Sequence, residues 1–192
     1  MYKFVKNALL KNYITTYKPF LLFLGKFLLT YFLLTFCYQL YLQSYDAKAF
    51  EADEITKHVA FQTQRLLELF GANAAILPNP EEAGMKLIYN GEFVARIIEG
   101  CNAVSVIILF ISFIIAFAGR LRNTVLFVVF GSVFIYVLNV GRIALLAWAL
   151  YYYPEQEHLL HGVLFPLFIY GVVFLLWVIW VNKYSSYAKK TV

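Results

Sequence analysis

The chain reads Arg96-Ile97-Ile98-Glu99-Gly100-Cys101-Asn102-Ala103 immediately before the apolar run Val104 to Phe117. A charged, polar segment gives way there to sequence that water cannot accommodate, and a glycine, a thiol and an amide sit at the junction. A bilayer core of about 30 Å requires roughly 20 apolar residues in a helix rising 1.5 Å per residue. Working outward from the junction, four stretches meet that requirement: Phe20 to Leu42, Cys101 to Ala118, Thr124 to about Leu145, and Gly162 to Val181. The chain is 62% hydrophobic and only 14% charged, a balance foreign to soluble domains. The expected fold class is an all-α integral membrane protein with four transmembrane helices and a small extracytoplasmic insertion between spans 1 and 2.

Charge placement orients these spans, because basic residues are retained on the cytoplasmic side. Lys3, Lys6, Lys11 and Lys18 precede the first span, Arg120 and Arg122 separate the second from the third, and Lys183, Lys189 and Lys190 follow the fourth. An even number of crossings sets both termini in the cytoplasm and leaves Gln43 to Gly100 and Tyr151 to His161 outside. Those two segments contain all 11 acidic residues. The expected organisation is 1–42 as cytoplasmic N-terminus and first span, 43–100 as the insertion, 101–181 as a three-helix membrane core, and 182–192 as a cytoplasmic tail. The net charge of +5 reflects the inner loops and implies no nucleic-acid partner.

Ala47-Lys48-Ala49 formally matches a secretory cleavage site, but the leading segment is too long and Lys26 interrupts it. The first span reads as a retained anchor whose Lys26 snorkels toward the cytoplasm. In the insertion, Ile55, Val59, Gln62, Leu66 and Phe70 repeat at helical spacing, with Gly71 where a helix C-terminus wants it, so one amphipathic helix is expected from Asp53 to Phe70. After the loop Leu77-Pro78-Asn79-Pro80, Met85 to Tyr89 and Glu92 to Ile98 flank Asn90-Gly91, a strong hairpin signal. The second strand delivers the chain to Cys101. The third span, from Thr124 to Tyr153, is about 45 Å of helix and must tilt, kink at Gly141 or emerge from the bilayer.

Four polar residues in the apolar sequence call for a reason. Arg142 near the end of the third span is costly in a membrane unless it snorkels or serves a site, and Asn139 lies one turn earlier on the same face. His161 opens the fourth span and forms an i, i+3 pair with His158, which suggests either a metal site completed by Glu155 or Glu157 or a single general base. Cys101 opens the second span, where a helix start and a neighbouring cation favour a thiolate. The only other cysteine, Cys37, lies deep in the first span, and there is no CxxC, so neither a disulfide framework nor a dithiol redox site is indicated. Cys101, Arg142 and His161 share one depth near the outer surface.

These residues resemble the exosortase and archaeosortase family, in which a cysteine opens one membrane helix, an Asn-x-x-Arg sits on the next and a histidine opens the last. Here the corresponding stretches are Glu99-Gly100-Cys101, Asn139-Val140-Gly141-Arg142-Ile143 and His161-Gly162-Val163-Leu164-Phe165-Pro166. The short build, with Tyr170-Gly171 after Leu164-Phe165-Pro166, is most similar to the exosortase F branch of Bacteroidetes. The resemblance covers roughly Arg96 to Val181. Many family members have Ser-Gly after the cysteine and an acidic residue after the histidine, where this chain has Asn102-Ala103 and Gly162.

The resemblance implies a cysteine transpeptidase or protease of the bacterial inner membrane that cleaves a C-terminal sorting signal of secreted proteins on the periplasmic side. Cys101, Arg142 and His161 would be catalytic, with Asn102, Asn139, Glu99 and His158 in binding or supporting roles. The partners implied are a secreted protein with a tripartite tail of motif, apolar helix and basic end, membrane lipid and a small membrane partner protein. No metal or organic cofactor is required. The rivals are a non-enzymatic assembly protein of an envelope export or polysaccharide complex, and a metal-dependent hydrolase built on His158 and His161.

Overall fold

The computed structural model describes residues 2–45, 50–117 and 119–185, with side chains from Tyr17 onward. Ala47-Lys48-Ala49, the terminal Lys189 and Lys190, and the side chains of Lys3, Lys6 and Lys11 lie outside the described residues. The order of elements is α1 (Tyr2–Leu42), α2 (Glu54–Leu69), β1 (Ala74–Pro78), β2 (Gly84–Tyr89), β3 (Glu92–Ile98), a 3-10 turn (Glu99–Cys101), α3 (Val104–Ala116) and α4 (Leu121–Tyr152). A 3-10 turn (Pro154–Gln156), the helical turn α5 (Glu157–Leu159), a π-helical turn (Leu160–Leu164) and α6 (Phe165–Lys183) complete it.

Three helical segments, Tyr17–Leu42, Leu121–Tyr152 and Pro154–Lys183, are long and apolar enough to cross a membrane, and the chain is a multi-pass membrane protein. The expectation of four such helices is not met. α3 has 13 residues, or about 20 Å, because the apolar run from Cys101 is not helical throughout. At its start, Ala103 adopts a left-handed conformation (φ 66°) and the helix waits until Val104. At its end, Phe117 leaves the helix, and its carbonyl accepts a hydrogen bond from Trp180 Nε1 at 3.0 Å. α3 packs against α1, α4 and α6. Phe23 and Phe27 of α1 meet Phe113 of α3, while Phe110, Ile114, Ile135, Ile169, Val173 and Trp180 fill the space between the other three helices.

The insertion is more elaborate than a helix and a hairpin. The hairpin turns at Asn90 (φ 50°) and Gly91 (φ 87°), both left-handed, as a two-residue primed turn requires. A third strand, β1, pairs antiparallel with the outer side of β2, giving the order β1-β2-β3. Its sequence Ala-Ala-Ile-Leu-Pro lacks a clear alternation, and Pro78 fits only because β1 is an edge. In α2, Asp53 caps the helix by accepting from the backbone N–H of Thr56 at 3.0 Å. The buried face of α2 is Thr56, Val59, Ala60, Thr63 and Leu67, rotated from the expected stripe. Small and β-branched side chains let it approach the sheet and α4 closely. Phe70, expected on that face, is instead 83% exposed.

α4 carries its length without a kink. Leu121–Tyr152 is one uninterrupted helix of 32 residues, about 48 Å, and Gly141 introduces no break. Its Val140, Ile143, Ala144 and Ala147 pack into the core formed by α2 and the sheet, including Leu87 and Ile97. The sheet layer therefore rests on the last third of α4.

Two glycines of α4 separate the packing terms. A Cβ at Gly131 would come within 2.3 Å of the fully buried Phe110 ring, whereas one at Gly141 would meet nothing within 4 Å. Gly131→Ala is expected to destabilise the detergent-solubilised protein by about 1 to 3 kcal/mol, seen as a lower midpoint of thermal unfolding. Gly141→Ala should leave that midpoint unchanged or raise it.

Candidate active site

Asn102 is 1% exposed, in surroundings that cannot supply water to its amide. It satisfies itself by tying three elements together. Its Nδ2 donates to the Tyr38 hydroxyl of α1 at 2.8 Å and to Thr56 Oγ1 of α2 at 3.1 Å, and its Oδ1 accepts from Val104 N at the start of α3 at 3.0 Å. Thr56 Oγ1 in turn donates to Asp53 Oδ2 at 2.5 Å. From the other side, Asn139 of α4, itself buried, donates through Nδ2 to the Cys101 carbonyl at 2.6 Å. The backbone that carries the thiol is thus held on both flanks.

Cys101 itself lies in the 3-10 turn, three residues before α3, and not at the first position of a membrane helix as its apolar surroundings suggest. The first N–H of α3 is taken by Asn102, so the thiol does not face a bare helix N-terminus. It lies partly exposed in a cleft of about 160 Å³ whose lining includes Arg142 and His161. Arg142 does not snorkel toward lipid. It is half-buried in that cleft, its Nε has no hydrogen-bond partner among the described residues, and Cys101 and Tyr170 are its electrostatic neighbours. A buried guanidinium nitrogen without an acceptor is costly, and the same residue lines the cleft that Cys101 shares.

His161 is exposed and sits in the π-helical turn Leu160–Leu164. The cause is local. Pro166 has no N–H to give the Gly162 carbonyl, and the Phe165 N–H reaches back to the Leu160 carbonyl instead. The wider turn swings His161 to the cleft that Cys101 and Arg142 line. No hydrogen bond joins the three side chains among the described residues, so there is room for a group to enter between them.

The other expected residues divide. Asn102 and Asn139 hold the cysteine turn from behind. Glu99 begins that turn but faces the Tyr38 hydroxyl and does not line the cleft. His158 is exposed and also absent from the lining, where Glu157 appears beside His161. Among the described residues no group of three or more His, Cys, Asp and Glu is arranged to hold a metal ion, so His158 and His161 do not form one with the loop glutamates. Tyr38 and Thr56 escape a reading of the sequence, and Glu157, read there as a possible metal ligand, lines the cleft beside His161. Tyr38 and Thr56 look like ordinary helix residues until the fold brings them to Asn102.

A protein-family comparison reads the same chain as a whole. The model of the transmembrane exosortases matches residues 15–181. The chain belongs to the transmembrane exosortase family. No curated protein and no solved structure matches it. The family match begins well before the stretch Arg96 to Val181 that carries the motifs. Thus α1 and the insertion, which supply Tyr38 and Thr56 to Asn102, belong to the exosortase unit and are not an addition to it.

Asn102→Ala leaves Tyr38 and Thr56 buried without the amide that joins them. A loss of about 1 to 3 kcal/mol in unfolding free energy is expected, with faster hydrogen exchange in the peptide spanning Glu99 to Val104. Unchanged exchange there would show that the turn is held by packing alone.

Proposed function

We propose that this exosortase is a membrane-embedded cysteine transpeptidase that cuts the C-terminal sorting signal of secreted proteins through a thioacyl intermediate. The observation that carries the reading is the common cleft of Cys101, Arg142 and His161, contributed by three segments far apart in sequence. Family membership supplies the activity class, and the short build with Tyr170-Gly171 after Leu164-Phe165-Pro166 supports the exosortase F branch. The substrate is a secreted protein whose tail combines a short motif, an apolar helix and a basic end, with membrane lipid around it and a small membrane protein as companion.

In the reaction, Cys101 Sγ as thiolate attacks the scissile carbonyl carbon, and the carbonyl electron pair moves onto oxygen. The Arg142 guanidinium, which lines the same cleft, offers that oxyanion a charged donor. As the tetrahedral species collapses, the C–N bond breaks, and His161 passes the proton taken from the thiol to the departing amine. An acyl acceptor with a nucleophilic O–H or N–H then attacks the thioester, giving its proton to His161 and returning the thiol. Asn139 and Asn102 act through position, holding the Cys101 backbone.

The topology follows the same reading. α3 lies among α1, α4 and α6 and is shielded from lipid along much of its length, so its 13 residues serve as a fourth crossing. Both termini are then cytoplasmic, the acidic insertion is periplasmic, and the membrane is the bacterial inner one. A membrane-impermeant maleimide applied to intact cells should label Cys101 in a Cys37→Ala protein. Labelling only after permeabilisation would reverse the orientation and remove secreted substrates from reach.

Cys101→Ala and His161→Ala should each abolish processing of a tailed secreted protein, with the double variant no worse than either single one. Arg142→Lys keeps charge but loses the planar fork, and a drop of about a hundredfold is expected. His158→Ala should process normally. The measurement is the substrate's mass in cells expressing matched amounts of each variant. Full processing by Cys101→Ala would leave a non-enzymatic assembly role in its place.

A further inference from the structure

β3 is the edge of the sheet, paired with β2 on one side and with no strand on the other among the described residues. An edge strand presents every second N–H and C=O outward, and proteins usually blunt such edges because any extended chain can add to them. Here a bulge at Val94 blunts only the start of the edge; from Ala95 onward no strand lies beside it among the described residues, and this part runs toward the nucleophile. β3 ends at Ile98 and passes directly into the turn Glu99–Cys101.

A groove of about 590 Å³ lies beside this edge. Its lining takes Glu92, Phe93, Val94, Ala95 and Arg96 in unbroken succession. Lys86 of β2, which alternates with the core residues Met85 and Leu87, lines it from one face of the sheet, and Leu150 and Tyr151 of α4 line it from the other, so the groove passes around the β3 edge. The groove and the Cys101 cleft share Val94, Ala95, Arg96, Leu150 and Glu157, so the two are continuous. A register shift between Leu87 and Ile88 places Val94 as an extra residue, leaving Ala95 to Ile98 as a regular ladder, about 13 Å long.

We propose that the substrate binds by adding a strand to β3, with the peptide segment just upstream of the scissile bond lying along Ala95–Ile98. This rests on the transpeptidase reading and specifies how its substrate is held. An extended peptide is the occupant because only a chain with backbone donors and acceptors at two-residue spacing can satisfy such an edge. A lipid or an apolar helix has none to offer. The direction is also fixed. The tail's apolar helix must enter the bilayer beyond the scissile bond, so the upstream segment runs with β3, from the sheet toward Cys101. Main-chain pairing then supplies affinity, and alternate side chains facing the groove read the motif.

The test uses the full-length Cys101→Ala protein, which binds but cannot cleave, in cells secreting a reporter fused to a tripartite tail from the same genome. A benzophenone amino acid is placed at Phe93 or Ile98 on the β3 edge, at Leu77 on the opposite sheet edge, or at His161 in the cleft, all of them exposed. After irradiation, Phe93 and Ile98 should give adducts mapping to the segment before the tail's apolar helix, in at least about tenfold excess over Leu77. In the cleaving enzyme, proline scanned through that segment should reduce processing at every second position, by about tenfold per lost hydrogen bond. Adducts from His161 alone, or a proline scan without the two-residue period, would overturn strand addition while leaving the transpeptidase intact. Absence of tail adducts from every position would overturn both.

Discussion

The structure depends on the hydrogen bonds of one buried amide. Asn102 lies where α1, α2 and the start of α3 meet, and its amide bonds all three, Nδ2 donating to Tyr38 and Thr56 and Oδ1 accepting from Val104. In such surroundings an unmade hydrogen bond costs more than a made one contributes, so the three elements are held in one relative position. β3, whose register with β2 is set by the Asn90-Gly91 turn, runs into the turn that Asn102 anchors. The position of the thiol follows from the register.

This constraint explains how a partly polar site persists at an apolar boundary. Arg142 is expensive there, and α4 places it at the level of the sheet, where it lines the cleft. Ile143, Ala144 and Ala147 pack against the insertion, while Arg142 turns to the cleft. The salt bridge of Arg96 and Glu82 at 2.9 Å on the cleft's outer wall is solvent-exposed and contributes little stability. What holds the wall is the pairing of β3 with β2, including the close pass of Gly84, whose added Cβ would fall 2.9 Å from the Ile97 carbonyl.

Much of this was legible in the sequence, and what was missed has physical causes. The hairpin was readable because Asn90-Gly91 has a backbone requirement that few other pairs meet. The long apolar helices were readable because hydropathy integrates over many residues. α3 was misjudged because composition counts residues without asking whether they are helical, and Ala103 at φ 66° carries no signal in a one-letter code. β1 was missed because its strand character comes from its neighbour and not from its own alternation. The spacing of Ile55, Val59, Gln62, Leu66 and Phe70 points to a stripe displaced from the buried face of α2, because close approach to the sheet and α4 selects Ala60 and Thr63. Cys101, Arg142 and His161 stood out because each violates its surroundings. Tyr38 and Thr56 violate nothing, and only the fold reveals what they hold.

The π-helical turn shows how one chain satisfies two demands at the same place. α6 must be apolar and regular to cross a membrane, whereas His161, proposed as the proton carrier, has to reach the cleft at its mouth. A regular α-helix through Leu160–Leu164 would fix His161 by the same i to i+4 ladder as its neighbours. Pro166 breaks that ladder at the Gly162 carbonyl, and the Phe165 N–H moves its bond to Leu160. The irregularity is confined to one turn because Phe165, packed on Leu146 and Leu150 of α4, re-establishes the helix at once. Leu146 and Leu150 also line the cleft. The same two side chains therefore secure the helix below the histidine and form the apolar floor on which a peptide bond would rest, which couples the placement of His161 to the integrity of the site it serves.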